Sequence, residues 1–118
     1  MPTHVAVDAM GGDHAPDAVV EGALRALQRP ESDLQLTLYG PEARVQAALQ
    51  AHDVPAGAPL SVHHAPDVIA MEDAPAAAVK TKRQSSVHLG LQAHRTGQAD
   101  AFISAGNTGA VMAASLFI

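Results

Sequence analysis

Apolar residues recur along this chain with two alternating periods. Residues 4–9 form an apolar run suited to a strand buried on both faces. Beyond Pro16 the spacing widens, so that Val20, Leu24 and Leu27 share one helical face with Val19 and Ala23 beside them. Glu21 and Arg25 lie four apart on the opposite face, in the stabilising order. Pro16 suits the first turn of that helix, and Arg29-Pro30 ends it. Leu34, Leu36 and Leu38 alternate as a second strand, closed by Gly40-Pro41. A helix over 42–51 carries Val45 and Leu49, a turn runs from Pro55 to Pro59, and Leu60 to His63 make a short third strand. Residues 65–77, with three acidic residues and two prolines, read as irregular. Ser85 or Ser86 then caps a helix with Val87, Leu91 and His94 on one side, and Gly97 ends it. A fourth strand occupies 100–104, and Asn107 opens a final helix.

Strands alternating with helices of this length predict an α/β fold, a parallel sheet with flanking helices in a three-layer, Rossmann-like arrangement. No internal repeat or low-complexity segment interrupts it. Ligands of such sheets bind beyond the carboxyl ends of the strands, near a switch in strand order.

Composition narrows the picture. The 118 residues amount to one domain at most, and with Tyr39, Phe102 and Phe117 as the only aromatics, aliphatic side chains must fill the core. Few aromatics and a net charge of −5 disfavour a nucleic-acid partner. The absence of cysteine excludes a disulfide framework, a thiolate metal site and a cysteine-bound acyl intermediate within this stretch. Met1-Pro2-Thr3-His4 lacks the basic and apolar regions of a signal peptide, so a soluble, cytoplasmic chain is expected. The apolar run Ala110–Ile118 stops without a cap, charge or glycine, and is too short to span a bilayer. It reads as the interior of a helix in the N-terminal part of a longer protein.

Two glycine-rich turns carry the candidate chemistry. Asp8-Ala9-Met10-Gly11-Gly12-Asp13 follows the first strand, and Ser104-Ala105-Gly106-Asn107-Thr108-Gly109 follows the fourth. Each leads into a helix, whose first N–H groups and partial positive charge can hold an oxyanion. Neither is a G-x-G-x-x-G or G-x-x-x-x-G-K-[ST] fingerprint, which disfavours a dinucleotide dehydrogenase or a P-loop nucleotidase. The plainer alternative for Gly11-Gly12 is a tight turn without chemistry. Asp8 and Asp13 either bond loop amides or position a metal or nucleophile. Asn107 and Thr108 either cap the last helix or make an oxyanion site. Both turns serve one crevice only if strands one and four are close.

Lys80, Lys82 and Arg83 are three of the seven basic residues of a net acidic chain. They are a solvated face or a concentration of positive potential leading into Gln84-Ser85-Ser86 at a helix start. The seven histidines show no metal spacing; His63-His64 reads as a strand end, and no metal site or cofactor is expected.

The segment Val5-Ala6-Val7-Asp8-Ala9-Met10-Gly11-Gly12-Asp13-His14-Ala15-Pro16 resembles the opening of the PlsX family, the bacterial phosphate acyltransferases. The likeness continues through Met71-Glu72-Asp73-Ala74-Pro75, Lys80-Thr81-Lys82-Arg83-Gln84-Ser85-Ser86 and Ile103 to Ala110, in order over the whole chain. At Val87-His88 the family more often has a methionine after the paired serines.

The resemblance implies transfer of a fatty acyl group from acyl carrier protein to inorganic phosphate, giving acyl phosphate for phospholipid synthesis. It implies a fold similar to phosphotransacetylase and a homodimer of subunits about three times this length. Residues 1–118 would then be the N-terminal portion of a single α/β acyltransferase domain, inactive alone. It implies peripheral membrane association through an amphipathic segment beyond residue 118, further catalytic residues there, a lysine among them, and a glycerol-3-phosphate acyltransferase as a partner. For that chemistry Asn107 is the catalytic candidate on this chain, since with the turn's backbone amides it could hold the phosphate or stabilise the thioester oxyanion. Asp8, Gly11, Gly12, Asp13, Lys82, Ser85, Ser86, Ser104, Gly106, Thr108 and Gly109 are the phosphate-binding candidates. Two rival functions remain: a phosphotransacetylase-like enzyme using acyl-CoA, and a non-catalytic module that senses a phosphorylated metabolite.

Overall fold

The computed structural model describes residues 2–29 and 33–118. The elements follow in the order β1 (Thr3–Asp8), α1 (Asp17–Leu27), β2 (Leu34–Gly40), α2 (Glu42–Gln50), β3 (Leu60–His64), α3 (Pro75–Thr81), α4 (Ser86–Arg95), β4 (Ala101–Ile103) and α5 (Thr108–Phe117). All strand pairs are parallel, and the sheet order is β3-β2-β1-β4. The chain steps outward from β1 to β3, then returns past β1 to lay β4 on its other side. β1 and β4 therefore flank the switch point of the sheet, in register as Val5↔Ala101, Ala6↔Phe102 and Val7↔Ile103. The three-layer α/β expectation holds.

Period-two alternation sorts the central strands onto two faces. Val5, Val7, Leu36 and Leu38 pack with Val20, Ala23, Leu24, Val45 and Ala48 of α1 and α2. Ala6 and Tyr39 face the other way, onto Ala93 of α4, with Ala99, Leu89 and Phe102 around them. Completely burying a side chain such as Leu38 or Val20 contributes about 1.5–3 kcal/mol. A third cluster joins α3, α4 and α5 through Ile69, Ala78, Val79, Val87, Ala110 and Ala114.

Several expectations need correction. Part of the stretch read as irregular is helix α3, which starts at Pro75 and continues through Ala76, Ala77 and Ala78. Proline is suited to this opening position because its missing N–H would have had no partner there. Pro16 precedes α1 as its N-cap instead of lying in the first turn, and α1 ends at Leu27 with Gln28 as C-cap. Pro30, expected to end that helix, lies outside the described residues. The buried face of α4 is Ser86, Val87, Gly90 and Ala93, while His94 is exposed. A Cβ at Gly90 would strike the Phe102 ring, so the helix meets the sheet through its smallest residues. The Glu21–Arg25 pair forms as expected, at 2.9 Å on the surface.

Candidate functional site

Asp8 is the last residue of β1 and is almost fully buried. A carboxylate withdrawn from water needs hydrogen-bond donors, and three reach it. Its Oδ1 accepts from the Ser86 hydroxyl in a short hydrogen bond and from the Met10 N–H at 3.0 Å. Its Oδ2 accepts from the Ser104 hydroxyl at 2.8 Å. One side chain thus ties together the end of β1, the start of α4 and the turn after β4. Ser86 is buried and its only proton is given to Asp8; Ser85, also buried, caps α4 by accepting from the His88 N–H at 3.1 Å.

The two glycine turns touch at this point. A Cβ on Gly11 would lie 2.8 Å from the Gly106 nitrogen and 3.0 Å from Asp8 Oδ2, so only glycine allows the approach. Gly12 has φ +100°, a conformation that L side chains rarely adopt. Gly106 donates its N–H to Ser104 Oγ at 3.1 Å. Gly109 answers to packing: a Cβ there would meet Pro75 Cγ of α3 at 2.6 Å. Asp13 is exposed and lines a separate cavity of about 260 Å³ with Gly12, Arg44 and residues 68–72.

Asn107 does two jobs at the start of α5. Its Oδ1 accepts from the Ala110 N–H at 3.1 Å, an N-cap. Its Nδ2 faces the carbonyls of Ala70, Met71 and Asp73 at 3.1, 3.3 and 3.0 Å. Both amide hydrogens are therefore committed to the 70–73 loop. The direct oxyanion-donor role expected of Asn107 has no free donor in this arrangement, and its position suits a residue that holds other groups in place. Val111 N–H begins the intrahelical bonds by donating to the Asn107 carbonyl at 3.0 Å. Ahead of it, the N–H groups of Thr108 and Gly109 have no partner among the described residues. Beside them runs a cleft of about 410 Å³, lined by Ser104, Gly106 and Thr108 and by the apolar Val111 and Met112. It offers anion-ready groups and an apolar wall in one space.

The basic run divides. Lys82 turns inward, donating to Asp73 Oδ2 and to the Val68 carbonyl, each at 2.7 Å. The Lys82 contact, with the Ala70 N–H, holds the Asp73 carboxyl below its ordinary range. Lys82 thus braces the same loop as Asn107. No local signal marked Asp73 as its partner, because acidic residues are frequent in that stretch. Lys80 and Arg83 instead line an open cleft of about 380 Å³ with Arg95, His88 and Phe117. Burial, then Arg83, lowers the pKa of His88, whose buried Nδ1 has no hydrogen-bond partner among the described residues. His64 Nδ1 accepts the Glu42 N–H at the start of α2, and His63 stacks on Tyr39, so neither gathers toward a metal. Among the described residues no helix is long and apolar enough to cross a membrane.

A family model described as fatty acid synthesis protein matches residues 3–118. The chain belongs to the fatty acid synthesis protein family. This family member is 51% identical over 116 residues to the phosphate acyltransferase of Salinibacter ruber, covering 98% of this chain and 34% of that protein. It is 52% identical over 114 residues to the phosphate acyltransferase of Levilactobacillus brevis, covering 97% and 31%. For the phosphate acyltransferase of Anaeromyxobacter the figures are 46% over 114 residues, 97% and 31%. The chain spans about a third of the length of the curated relatives it matches.

Proposed function

We propose that this chain supplies the phosphate cradle of an acyltransferase that moves a fatty acyl group from acyl carrier protein to inorganic phosphate. The product is an acyl phosphate for phospholipid synthesis. The observation that carries the reading is the meeting of the two glycine turns at the switch point, beside a cleft with anion-ready groups and an apolar wall. The relatives' names support the reaction class.

Phosphate is a weak nucleophile in water because it is strongly hydrated, so the site must take it out of solvent and aim it at the thioester. In this reading the Thr108 N–H and hydroxyl hold the anion at the positive end of α5. Val111 and Met112 face the acyl chain. Attack by a phosphate oxygen on the thioester carbonyl expels the carrier thiolate directly, with no acyl-enzyme required. Asp8 and Asn107 act as positioning residues, the first by joining three segments and the second by fixing the 70–73 loop. Lys80, Arg83 and Arg95 form the surface that steers an acidic carrier protein. A homodimer acting in the cytoplasm and touching the membrane peripherally completes the proposal.

The test is an acyl-transfer assay on the whole protein, with acyl phosphate trapped by hydroxylamine. The reading expects faster turnover with acyl carrier protein thioesters than with acyl-CoA. The reverse preference would favour a phosphotransacetylase-like enzyme, and phosphate binding without turnover would favour a sensor.

A further inference from the structure

We infer that the Asp8–Ser104 pair makes this cleft selective for a hydrogen-bond-donating oxyanion, so that it separates phosphate from sulfate. The inference rests on the phosphate reading of the cleft. A serine hydroxyl has one proton and two lone pairs. The Ser104 proton goes to Asp8 Oδ2 at 2.8 Å, and one lone pair accepts the Gly106 N–H at 3.1 Å. A single lone pair remains on the hydroxyl oxygen of a residue that lines the cleft. Whatever meets Ser104 there must donate.

Asp8 enforces this polarity. Its other oxygen is taken by Ser86 and the Met10 N–H, and Asp8 is 3% exposed, so water does not displace the Ser104 hydroxyl from the carboxylate. Monohydrogen phosphate carries a proton and can donate it to Ser104 while its remaining oxygens accept from Thr108. Sulfate has the same shape and charge but no proton, so an oxygen lone pair would face the Ser104 lone pair. An unmet pairing of this kind is enough for about a tenfold preference.

The test is isothermal titration of the whole protein with inorganic phosphate and, separately, sulfate, at mildly alkaline pH where both are divalent. Phosphate is expected to bind at least about tenfold tighter. Asp8→Asn should shift the preference toward sulfate. The Met10 N–H and Ser86 keep the amide oxygen on their side, which places the amide nitrogen opposite Ser104. Ser104 then accepts from that nitrogen and turns its proton to the cleft. A merely structural role for Asp8 would weaken both anions alike. Ser104→Ala, which leaves the buried carboxylate in place, should bring the two affinities together even if the Asp8 variant does not fold. Equal affinities in the wild type, or an unchanged ratio in Ser104→Ala, would overturn the inference while leaving a phosphate site intact. Failure of phosphate to bind at all would overturn the phosphate reading and this inference with it.

Discussion

Removing the Asn107 side chain should cost about 3 kcal/mol of stability, and the structure says where each part comes from. An N-cap on α5 is lost with Oδ1, worth about 1 kcal/mol. The two Nδ2 hydrogens serve three carbonyls of the 70–73 loop, and each net hydrogen bond contributes about 1 kcal/mol. Met71 at that loop is half exposed, so water can replace part of what is lost, which keeps the figure from rising further. Asn107→Ser separates the two roles, because serine caps a helix well but cannot reach the loop. Urea denaturation of the whole protein should therefore rank wild type above Asn107→Ser, with Asn107→Ala lowest and about 1 kcal/mol below the serine variant. Limited proteolysis should cut near Met71 in both variants and spare the wild type. If Asn107→Ser were as stable and as protease-resistant as wild type, the loop-holding role would be refuted. If both variants kept full stability yet lost 10²–10³-fold in kcat, Asn107 would be an oxyanion donor after all.

Gly11→Ala places a Cβ 2.8 Å from the Gly106 nitrogen and should cost about 1–3 kcal/mol while weakening phosphate binding; unchanged affinity by titration would separate the turn contact from the site. Asp73 titrates below its ordinary value when folded, so the contact with Lys82 stabilises the fold above the unfolded aspartate's pKa, about 4, and that gain is lost as pH falls through the lower folded value. The stability difference between wild type and Lys82→Met, followed by denaturant midpoint, should shrink toward zero on acidification, and a pH-independent difference would argue against the pair. Reversing the charges at Lys80, Arg83 and Arg95 should raise KM for an acidic carrier thioester, with the effect shrinking at high salt and kcat little changed; an effect equal for a small neutral thioester would remove the docking role.

Local patterns foreshadowed much of the fold. The strands, the helix caps at Ser85 and Asn107, and both glycine turns follow from periodicity and turn chemistry. What stayed hidden depends on contacts between distant segments. Helix α3 begins with a proline inside an acidic stretch, and proline there marks a loop as readily as a helix start. The buried face of α4 could not be read from hydropathy, since Gly90 and Ala93 face the sheet while Leu91 is only half buried. The Asp8–Ser104 bond joins residues 96 apart, and the approach of Gly11 to Gly106 depends on β4 pairing with β1. Composition also grouped Lys82 with Lys80 and Arg83, whereas the chain turns Lys82 onto Asp73 and leaves the other two at the basic cleft.

A crystal structure of the whole protein soaked in inorganic phosphate shows which cleft takes the anion. Phosphate should occupy the cleft where the glycine turns meet, within hydrogen-bond distance of the Thr108 N–H and of Ser104 Oγ, with Asp8 still holding the Ser104 hydroxyl. Phosphate bound at the Lys80–Arg83–Arg95 cleft with the Ser104 cleft empty would contradict it.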